Sequence, residues 1–355
     1  MNVPFPSNES GFFRIVNRID WIYQMIFEVY PKRGIFMLSF LKSLSLGMIF
    51  LVGFSECQTS SSQRSESGRS TISQAGSMPE FIEGLYINTK TIRNPKFWNT
   101  LFQSMQDVGM NAAVIDIQPF PPSAEQIADI RKRGIYPIAR VVNFEGGLVD
   151  KAPSPDRMRS IQKAIRTACE LGFPEIQLDY IRYADGGTNF TMPYEKRYES
   201  ILNIIRDHKE KTKDVCGPSV IWSADIFGRV PFIENDIIGQ KVEPFSEELN
   251  ALYPMLYPSH FYGLTKRVSD PYGTIKDGLD FTVERAKKGT RALAWVQGFK
   301  MMIGPSRLSY QDYIKVQMLG AWESKGHGFI VWNAGNDYYD TLTAYTAYQN
   351  EKKKK

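Results

Sequence analysis

Residues Pro155–Tyr183 read PDRMRSIQKAIRTACELGFPEIQLDYIRY, a stretch that contains one complete helix, turn and strand pattern. Apolar residues at helical spacing, opened by a proline, predict a helix over Pro155–Leu171. Gly172 follows at once, in the left-handed cap position that glycine adopts without strain. The apolar run Glu175–Tyr183 then predicts a buried strand. The stretch therefore indicates an α/β protein in which helices and strands alternate.

The same unit recurs along the chain, and Gly109 and Gly134 end two further helices in the same way. The predicted strands are Gly84–Asn88, Ala112–Gln118, Tyr136–Val142, Glu175–Tyr183, Ser219–Gly228, Ala251–His260, Arg291–Phe299 and Gly328–Gly335. Helical spacing is clearest at Pro95–Val108, Ser123–Arg133, Pro155–Leu171, Tyr194–Lys211, Tyr272–Lys287 and Gln311–Ser324. Eight units in about 270 residues predict a (β/α)8 TIM barrel. A doubly wound open sheet has the same alternation, but the chain lacks its glycine-rich phosphate turn.

An apolar segment near the N-terminus predicts export. Residues Gly34–Gly53 read GIFMLSFLKSLSLGMIFLVG, and Cys57 follows shortly after. Counted from Met37, which we expect to be the true start, Lys42 and the apolar run form a lipoprotein signal with Cys57 as the lipidated residue. Plain secretion and an uncleaved membrane anchor remain alternatives. All three predict a periplasmic or outer-surface protein, and the first and third attach it to a membrane.

Composition divides the chain into three parts. Residues 1–57 are the N-terminal extension plus leader, and residues 58–80 are a Ser-rich segment that predicts a disordered, flexible linker. Residues 81–350 form the predicted barrel domain, and the lysines after Asn350 are expected to be solvated.

The charge and the metal-binding residue types exclude several functions. The 355 residues carry a formal net charge of +5, and it is confined to the C-terminal lysines and the N-terminal extension. A neutral body argues against nucleic acid as a partner. The three cysteines and three histidines have no metal-ligand spacing. The sequence therefore predicts no cofactor and no metal site.

Two aspartates at predicted strand ends are the candidate catalytic residues. Asp179 lies in the apolar segment IQLDYIRY, where a charge is costly unless it is paired, and Arg182 is its expected partner. Asp225 lies one strand later in SADIFG. Carboxyl groups on adjacent strand ends can lie about 5–6 Å apart, the separation of a retaining glycosidase. A structural ion pair for Asp179 and a helix cap for Asp225 are the alternatives.

Other polar and aromatic residues are predicted at the same barrel rim. Flat aromatic faces there favour a carbohydrate ligand over a small anion. The predicted substrate-binding residues are Tyr86, Asp116, Arg182, Tyr257, His260, Trp295, Gln297, Trp332 and Asn333. Glu145, in NFEGG after the third strand, is the reserve acid.

Several of these segments resemble a known family, the bacterial glycosyl-hydrolase domains still carried as a domain of unknown function and distantly related to α-amylase-like barrels. The matching segments begin at Gly84 (GLYIN), Asn111 (NAAVIDI), Gly172 (GFPEIQLDYIRY), Ser223 (SADIFG), Met255 (MLYPSHF) and Ala294 (AWVQGF). The resemblance covers roughly residues 81–348. It implies a barrel that acts on polysaccharide, with Asp179 after strand four as nucleophile and Asp225 after strand five as acid/base.

Three hypotheses follow. The first is an exported glycoside hydrolase that cleaves a cell-envelope or extracellular polysaccharide through this carboxylate pair. The second is a non-catalytic carbohydrate-binding envelope lipoprotein on the same scaffold. The third is a metal-dependent hydrolase with Asp116, Asp179 and Asp225 as oxygen ligands.

Overall fold

Eight strand positions pair in parallel and close into a barrel in the computed structural model, which describes residues 78–354. The strands are β1 (Ile82–Ile87), β2 (Ala112–Asp116), β3 (Tyr136–Val142), β4 (Glu175–Asp179), β5 (Ile221–Phe227), β6 (Ala251–Met255), β7 in two segments (Arg291–Ala292 and Ala294–Gln297) and β8 (Gly328–Trp332). Neighbours in sequence are neighbours in the sheet, and β8 pairs with β1 to close it. The predicted TIM barrel is confirmed.

Helices connect the strands on the outside. They are α1 (Thr89–Ile92), α2 (Pro95–Val108), α3 (Ala124–Lys132), α4 (Pro155–Glu170), α5 (Tyr194–Cys216), α6 (Val242–Glu248), α7 (Thr265–Ser269), α8 (Pro271–Arg285), α9 (Tyr310–Trp322) and α10 (Tyr339–Lys352). Gly109, Gly134 and Gly172 follow α2, α3 and α4 at φ values of 85°, 77° and 81°. The predicted left-handed glycine positions are therefore confirmed.

Alternate strand residues supply two separate apolar layers. One layer, which includes Leu85, Ala113 and Ile115, packs against the helices. The other fills the barrel interior and includes Ala112, Ile138 and Ile330. Gly84 belongs to the interior face, where an added Cβ would lie 2.6 Å from the carbonyl oxygen of Ala112. A side chain at position 84 would therefore force the first two strands apart.

The C-terminal helix is fixed to the first strand through a buried carboxylate. Glu83 accepts hydrogen bonds from the hydroxyls of Tyr345 and Tyr348, at 2.7 and 2.6 Å. The ammonium group of Lys352 lies 3.0 Å from the same carboxylate. The lysine run was predicted to be solvated from Asn350 onward, and for Lys352 that prediction is wrong because Glu83 supplies a counter-charge.

A disulfide joins α4 to α5. Cys169 and Cys216 lie at the C-terminal ends of these two helices, and their sulfur atoms are bonded. This pair accounts for two of the three cysteines of the chain, and the third is Cys57. The predicted leader, the lipidation at Cys57 and the linker up to residue 77 lie outside the described residues. Within residues 78–354, no helix is both long and apolar enough to cross a membrane.

Candidate active site

Each of the eight strands contributes one large side chain to a ring at the C-terminal end of the barrel. The ring consists of Tyr86, Asp116, Arg140, Asp179, Asp225, Tyr257, Trp295 and Trp332. Tyr257 comes two residues after β6, and the others lie within their strands. Seven of the eight are buried, and Trp332 is half-buried. Since the carboxyl ends of barrel strands are where active sites form, this ring is the candidate site.

Arg140 forms ion pairs with two carboxylates of the ring. Its Nη1 donates to Oδ1 of Asp116 at 2.6 Å, while its Nε and Nη2 both donate to Oδ2 of Asp179, at 2.9 and 2.6 Å. The Tyr86 hydroxyl donates to the other oxygen of Asp116 at 2.7 Å. Burial raises the pKa of Asp116, and Arg140 opposes that rise. One guanidinium thus bridges two carboxylates that are almost closed to solvent.

The residue after Asp179 adopts an uncommon backbone conformation. Tyr180 has a φ of 52°, and its backbone N–H donates to Oδ1 of Asp179 at 2.6 Å. Left-handed geometry in a residue other than glycine is costly and tends to persist where the surroundings enforce it. Here it gives the second carboxylate oxygen of Asp179 a donor, so that both oxygens accept hydrogen bonds.

A further layer of polar residues supports the end of β4. Nδ2 of Asn143 donates to the backbone carbonyl of Asp179 at 3.0 Å, and Oδ1 of Asn143 lies 3.1 Å from Nε2 of His208 on α5. Burial lowers the pKa of His208 to about 4, so its imidazole is neutral at pH 7. This chain of contacts ties helix α5 to the backbone of the candidate nucleophile.

Asp225 lies in very different surroundings from Asp179. It is 1% exposed, and its side chain accepts a hydrogen bond from Nε1 of Trp295 at 2.6 Å. Burial first, and then the negative charge of Asp179, raise the pKa of Asp225 well above its ordinary value. The Trp295 hydrogen bond and Arg140 oppose this rise without cancelling it. Asp225 therefore favours the protonated form, while the carboxyl group of Asp179 is ion-paired with Arg140.

The register of the sheet brings these two aspartates together. Leu178 of β4 pairs with Ala224 of β5, so the next residue of each strand is Asp179 and Asp225 respectively. Neighbouring parallel strands lie about 4.8 Å apart. Tyr257 lies near both carboxyl groups, and its pKa is raised well above its usual value by burial first and then by the nearby Asp225 and Asp179.

Three aromatic side chains, from β1, β7 and β8, pack together as an aromatic wall on the side of the candidate site opposite β4. Tyr86 stacks on Trp332 with centroids 3.9 Å apart, and Trp295 meets Trp332 edge to face at 5.6 Å. Arg140 lies 5.1 Å from the centroid of Trp332. His260 extends this wall outward, 5.1 Å from the ring of Tyr257. His260 is exposed, and partial desolvation by its neighbours lowers the pKa of its imidazole below the usual value.

The expected ion pair between Asp179 and Arg182 is absent from the described residues. Arg182 instead donates through Nη1 to the backbone carbonyl of Tyr183 at 2.9 Å. The left-handed turn at Tyr180 ends the strand alternation, so Arg182 no longer follows the face that Asp179 occupies. Sequence reasoning missed Arg140 as the partner. Its place on the interior face of β3, between the interior aspartates Asp116 and Asp179, is the signal that could have identified it.

Two predicted substrate-binding residues use their polar atoms to order loops. Oε1 of Gln297 accepts from the backbone N–H of Ser259 and its Nε2 donates to the carbonyls of Phe299 and Met301. Nδ2 of Asn333 donates to the carbonyl of Gly298 at 2.6 Å. Glu145 is exposed on the loop after β3.

A metal centre at the three aspartates has no geometric support. Among residues 78–354, no group of three or more His, Cys, Asp or Glu side chains is arranged to hold a metal ion. Arg140 already occupies the space between Asp116 and Asp179. A surface pocket of about 590 Å³ between the loop after β3 and helix α5 contains none of the eight ring residues.

Solved structures similar to this chain include glycoside hydrolases. The glycoside hydrolase domain of PgaB (BpsB) from Bordetella bronchiseptica has 10% identity and a TM-score of 0.57, over 75% of this chain and 98% of that one. The endo-β-1,4-mannanase from Thermotoga petrophila has 11% identity and a TM-score of 0.56, over 77% of each chain. The spore cortex-lytic enzyme SleL from Bacillus cereus has 12% identity and a TM-score of 0.50, over 75% and 73%. At these identities the similarity shows the fold.

No curated protein sequence matches the chain. A family of domains does match, over residues 160–338, which are half of the chain and run from the first turns of α4 to the loop after β8. This region contains both Asp179 and Asp225. The protein therefore belongs to the family described as "Putative glycosyl hydrolase domain".

Proposed function

We propose that this protein is an exported glycoside hydrolase that cleaves a cell-envelope or extracellular polysaccharide, with Asp225 as general acid/base and Asp179 as nucleophile or stabilising carboxylate. The observation that carries the proposal is the contrast between these two carboxyl groups at adjacent strand ends. When the surroundings of two neighbouring carboxyl groups favour opposite protonation states, one group can act as the acid and the other as the base or nucleophile at neutral pH.

Hydrogen-bond donors hold both carboxylate oxygens of Asp179. Arg140 donates two hydrogen bonds to one of its oxygens and the Tyr180 N–H donates to the other. These donors orient the carboxylate and stabilise its charge. A carboxylate held in this way can attack the anomeric carbon or stabilise positive charge that develops there in the transition state.

Asp225 has the surroundings of a proton donor. Its raised pKa favours the protonated form, which can transfer a proton to the glycosidic oxygen of a departing sugar. After that transfer the Trp295 N–H remains as a hydrogen-bond donor to the newly charged carboxylate. Placement on neighbouring strands favours the short carboxyl separation of a retaining mechanism, about 5–5.5 Å. In the second step Asp225 would take a proton from water.

The remaining rim residues suit a sugar chain. The half-buried Trp332 offers a flat face, and His260 and Tyr257 line the same opening. Pyranose rings present C–H surfaces that pack on such faces, while hydroxyl groups need donors and acceptors nearby.

Two observations support export and attachment to a membrane. The apolar run Gly34–Gly53 followed by Cys57 is typical of a lipoprotein signal. The bond between Cys169 and Cys216 suits an oxidising compartment, because disulfides are rare in the cytosol. We propose that the protein is lipidated at Cys57 and that the barrel lies in the periplasm or on the outer surface.

One observation favours a second candidate, a non-catalytic carbohydrate-binding protein of the cell envelope. Asp225 is 1% exposed and Asp179 is 5% exposed, so a sugar reaches them only if the rim opens. If the rim stays closed, the aromatic wall could bind glycans without hydrolysis.

The test is release of new reducing ends from cell-envelope and extracellular polysaccharide preparations by the full chain in mild detergent. We expect hydrolysis by the parent and a loss of about 10²–10⁴-fold in Asp225→Asn. Asp156→Asn, which changes an exposed carboxylate of α4, is the matched control and should keep full activity. If the protein binds a polysaccharide but releases no reducing ends at any pH from 4 to 8, the hydrolase proposal is rejected in favour of the binding protein.

A second measurement separates the two roles. An aryl glycoside with an acidic phenol as leaving group needs little protonation, so Asp225→Asn should retain far more of the parent rate on it than on polysaccharide. Asp179→Asn should lose activity on both substrates. Equal losses for Asp225→Asn on both would remove the assignment of Asp225 as general acid.

A further inference from the structure

Arg182 is a buried cation for which residues 78–354 provide no ion-pair partner. It is 2% exposed, and its Nε has no hydrogen-bond partner in the structure. Only Nη1 donates, to the backbone carbonyl of Tyr183 at 2.9 Å and, at the limit of 3.5 Å, to that of Gly146. Most of the donor capacity of the guanidinium is therefore unused.

Two other arginines near the barrel mouth are fully paired. Arg140 bridges Asp116 and Asp179. Arg229 pairs with Asp185 and Asp236, at 2.5 and 2.7 Å. A buried charge without a counter-ion is destabilising, which makes Arg182 the exception that needs a reason.

Arg182 lies beside the candidate active site. Its guanidinium carbon is 4.2 Å from the ring centroid of Phe227 and 5.4 Å from that of Tyr180. Tyr180 is the residue after Asp179, and Phe227 ends the strand that carries Asp225. Both rings are half-buried, and each lies within two residues of one of the two candidate carboxylates.

A guanidinium with free donors in a partly dry site binds planar or tetrahedral oxyanions strongly, because charge-assisted hydrogen bonds gain from low solvent exposure. We propose that Arg182 forms a subsite for an anionic substituent, a carboxylate, sulfate or phosphate, on the saccharide that this protein binds. The inference rests on the proposed function and narrows its substrate class to acidic glycans. Arg182 is a binding residue in this account and takes no part in bond cleavage.

The test is a binding measurement on the full chain in detergent, by titration calorimetry, with four probes that share the glucose ring and differ in the group at C6. The probes are glucose, glucuronate, glucose 6-sulfate and glucose 6-phosphate, which also distinguish the three anions. We expect at least one anionic probe to bind with a Kd below about 10 mM and more tightly than glucose. Arg182→Met should weaken that probe by about tenfold to a hundredfold, and Arg182→Lys should weaken it less.

Arg206→Met is the control, since it removes an exposed guanidinium of α5 that already pairs with Glu199 and Glu248. It should leave the preference for the anionic probe unchanged. The subsite is overturned if glucose binds as well as all three anions, if no anion binds, or if Arg182→Met and Arg206→Met lose affinity equally. The preference of the parent chain is informative even if a variant fails to fold.

The outcome is separable from that of the hydrolase proposal. Anion binding that depends on Arg182, in a protein that hydrolyses nothing, would keep the subsite and reject the enzyme. Hydrolysis of a polysaccharide by a parent chain that binds none of the three anionic probes would keep the enzyme and reject the subsite.

Discussion

Asp179 and Asp225 show how the environment decides what one residue type can do. Both are buried at matched positions on adjacent strands. Asp179 faces a guanidinium and a backbone N–H, whereas Asp225 faces a neutral indole N–H and the charge of Asp179. The neighbours of Asp225 therefore set its raised pKa. This raised pKa should affect stability as well as catalysis.

We predict that Asp225→Asn is stabilised relative to the parent as the pH rises. The pKa of Asp225 is higher in the folded than in the unfolded state, so between these values the folded state binds more protons and the parent loses stability with increasing pH. Asn cannot ionise and keeps the shape. The free energy of unfolding of Asp225→Asn minus that of the parent should therefore increase from pH 4 upward, with a slope of at most about 1.4 kcal/mol per pH unit.

Urea unfolding at intervals from pH 4 to pH 8 measures this difference. Asp156→Asn, with its side chain 89% exposed, is the control and should show no upward slope. A flat or falling difference for Asp225→Asn would mean that Asp225 is ionised in the folded protein.

We also predict that Arg140, and not Arg182, controls the charge of Asp179. Arg140→Gln leaves two buried carboxylates without their counter-charge and should cost about 3–5 kcal/mol of stability at pH 8. The loss should shrink at acid pH, where those carboxyls can take up protons. Arg182→Met should show no comparable pH dependence, and urea unfolding of both variants at pH 5 and pH 8 compares them. A larger pH dependence for Arg182→Met than for Arg140→Gln would indicate that Arg182 is the partner of Asp179, as expected from sequence.

Seven of the eight ring residues were predicted from sequence, but Arg140 and its pairing with the aspartates were not. Period-two alternation along each apolar strand places Asp116, Asp179 and Asp225 at strand ends that must meet in a closed barrel. Which arginine reaches which carboxylate depends on the register between strands and on the turn at Tyr180, and neither is visible in a local pattern. Sequence proximity suggested Arg182, whereas the true partner lies 39 residues away from Asp179.

At the scale of elements, the pairing of α4 with α5 has a covalent component. Both helices are amphipathic and were predicted from apolar spacing, but α5 extends beyond the expected end at Lys211 to Cys216. Those extra residues bring Cys216 to Cys169. The disulfide could not be predicted, since a separation of 47 residues carries no local signal.

We predict that removing this disulfide destabilises the barrel without changing its site. Cys169→Ala/Cys216→Ala should lower the free energy of unfolding by about 4 kcal/mol, because the bond restricts the unfolded chain. The measurement is thermal unfolding with and without reductant, in which the parent but not the double variant should respond to reductant. Cys57→Ala is the control and should respond like the parent. An unchanged melting temperature for the double variant would mean that the bond contributes nothing to stability.

At the scale of the whole molecule, the barrel places the exposed apolar side chains mainly on one face. Phe120, Tyr262, Leu264 and Tyr339 are all exposed on segments that follow strands β2, β6 and β8. The C-terminal face therefore combines the carboxylate pair with apolar surface around it, as a site for an extended glycan requires. The barrel itself followed from counting eight units, because eight evenly spaced strand and helix pairs have few other closed arrangements.

Difference infrared spectroscopy of the carboxyl groups tests the central claim, that the pair is one protonated and one ionised aspartate. It needs no substrate. At pH 7 we predict that the spectrum of the parent minus that of Asp225→Asn contains the C=O band of a protonated carboxyl group. The corresponding difference for Asp179→Asn should contain a carboxylate band instead. If the Asp225→Asn difference contains only a carboxylate band, both aspartates are ionised, and the division of roles between them is contradicted.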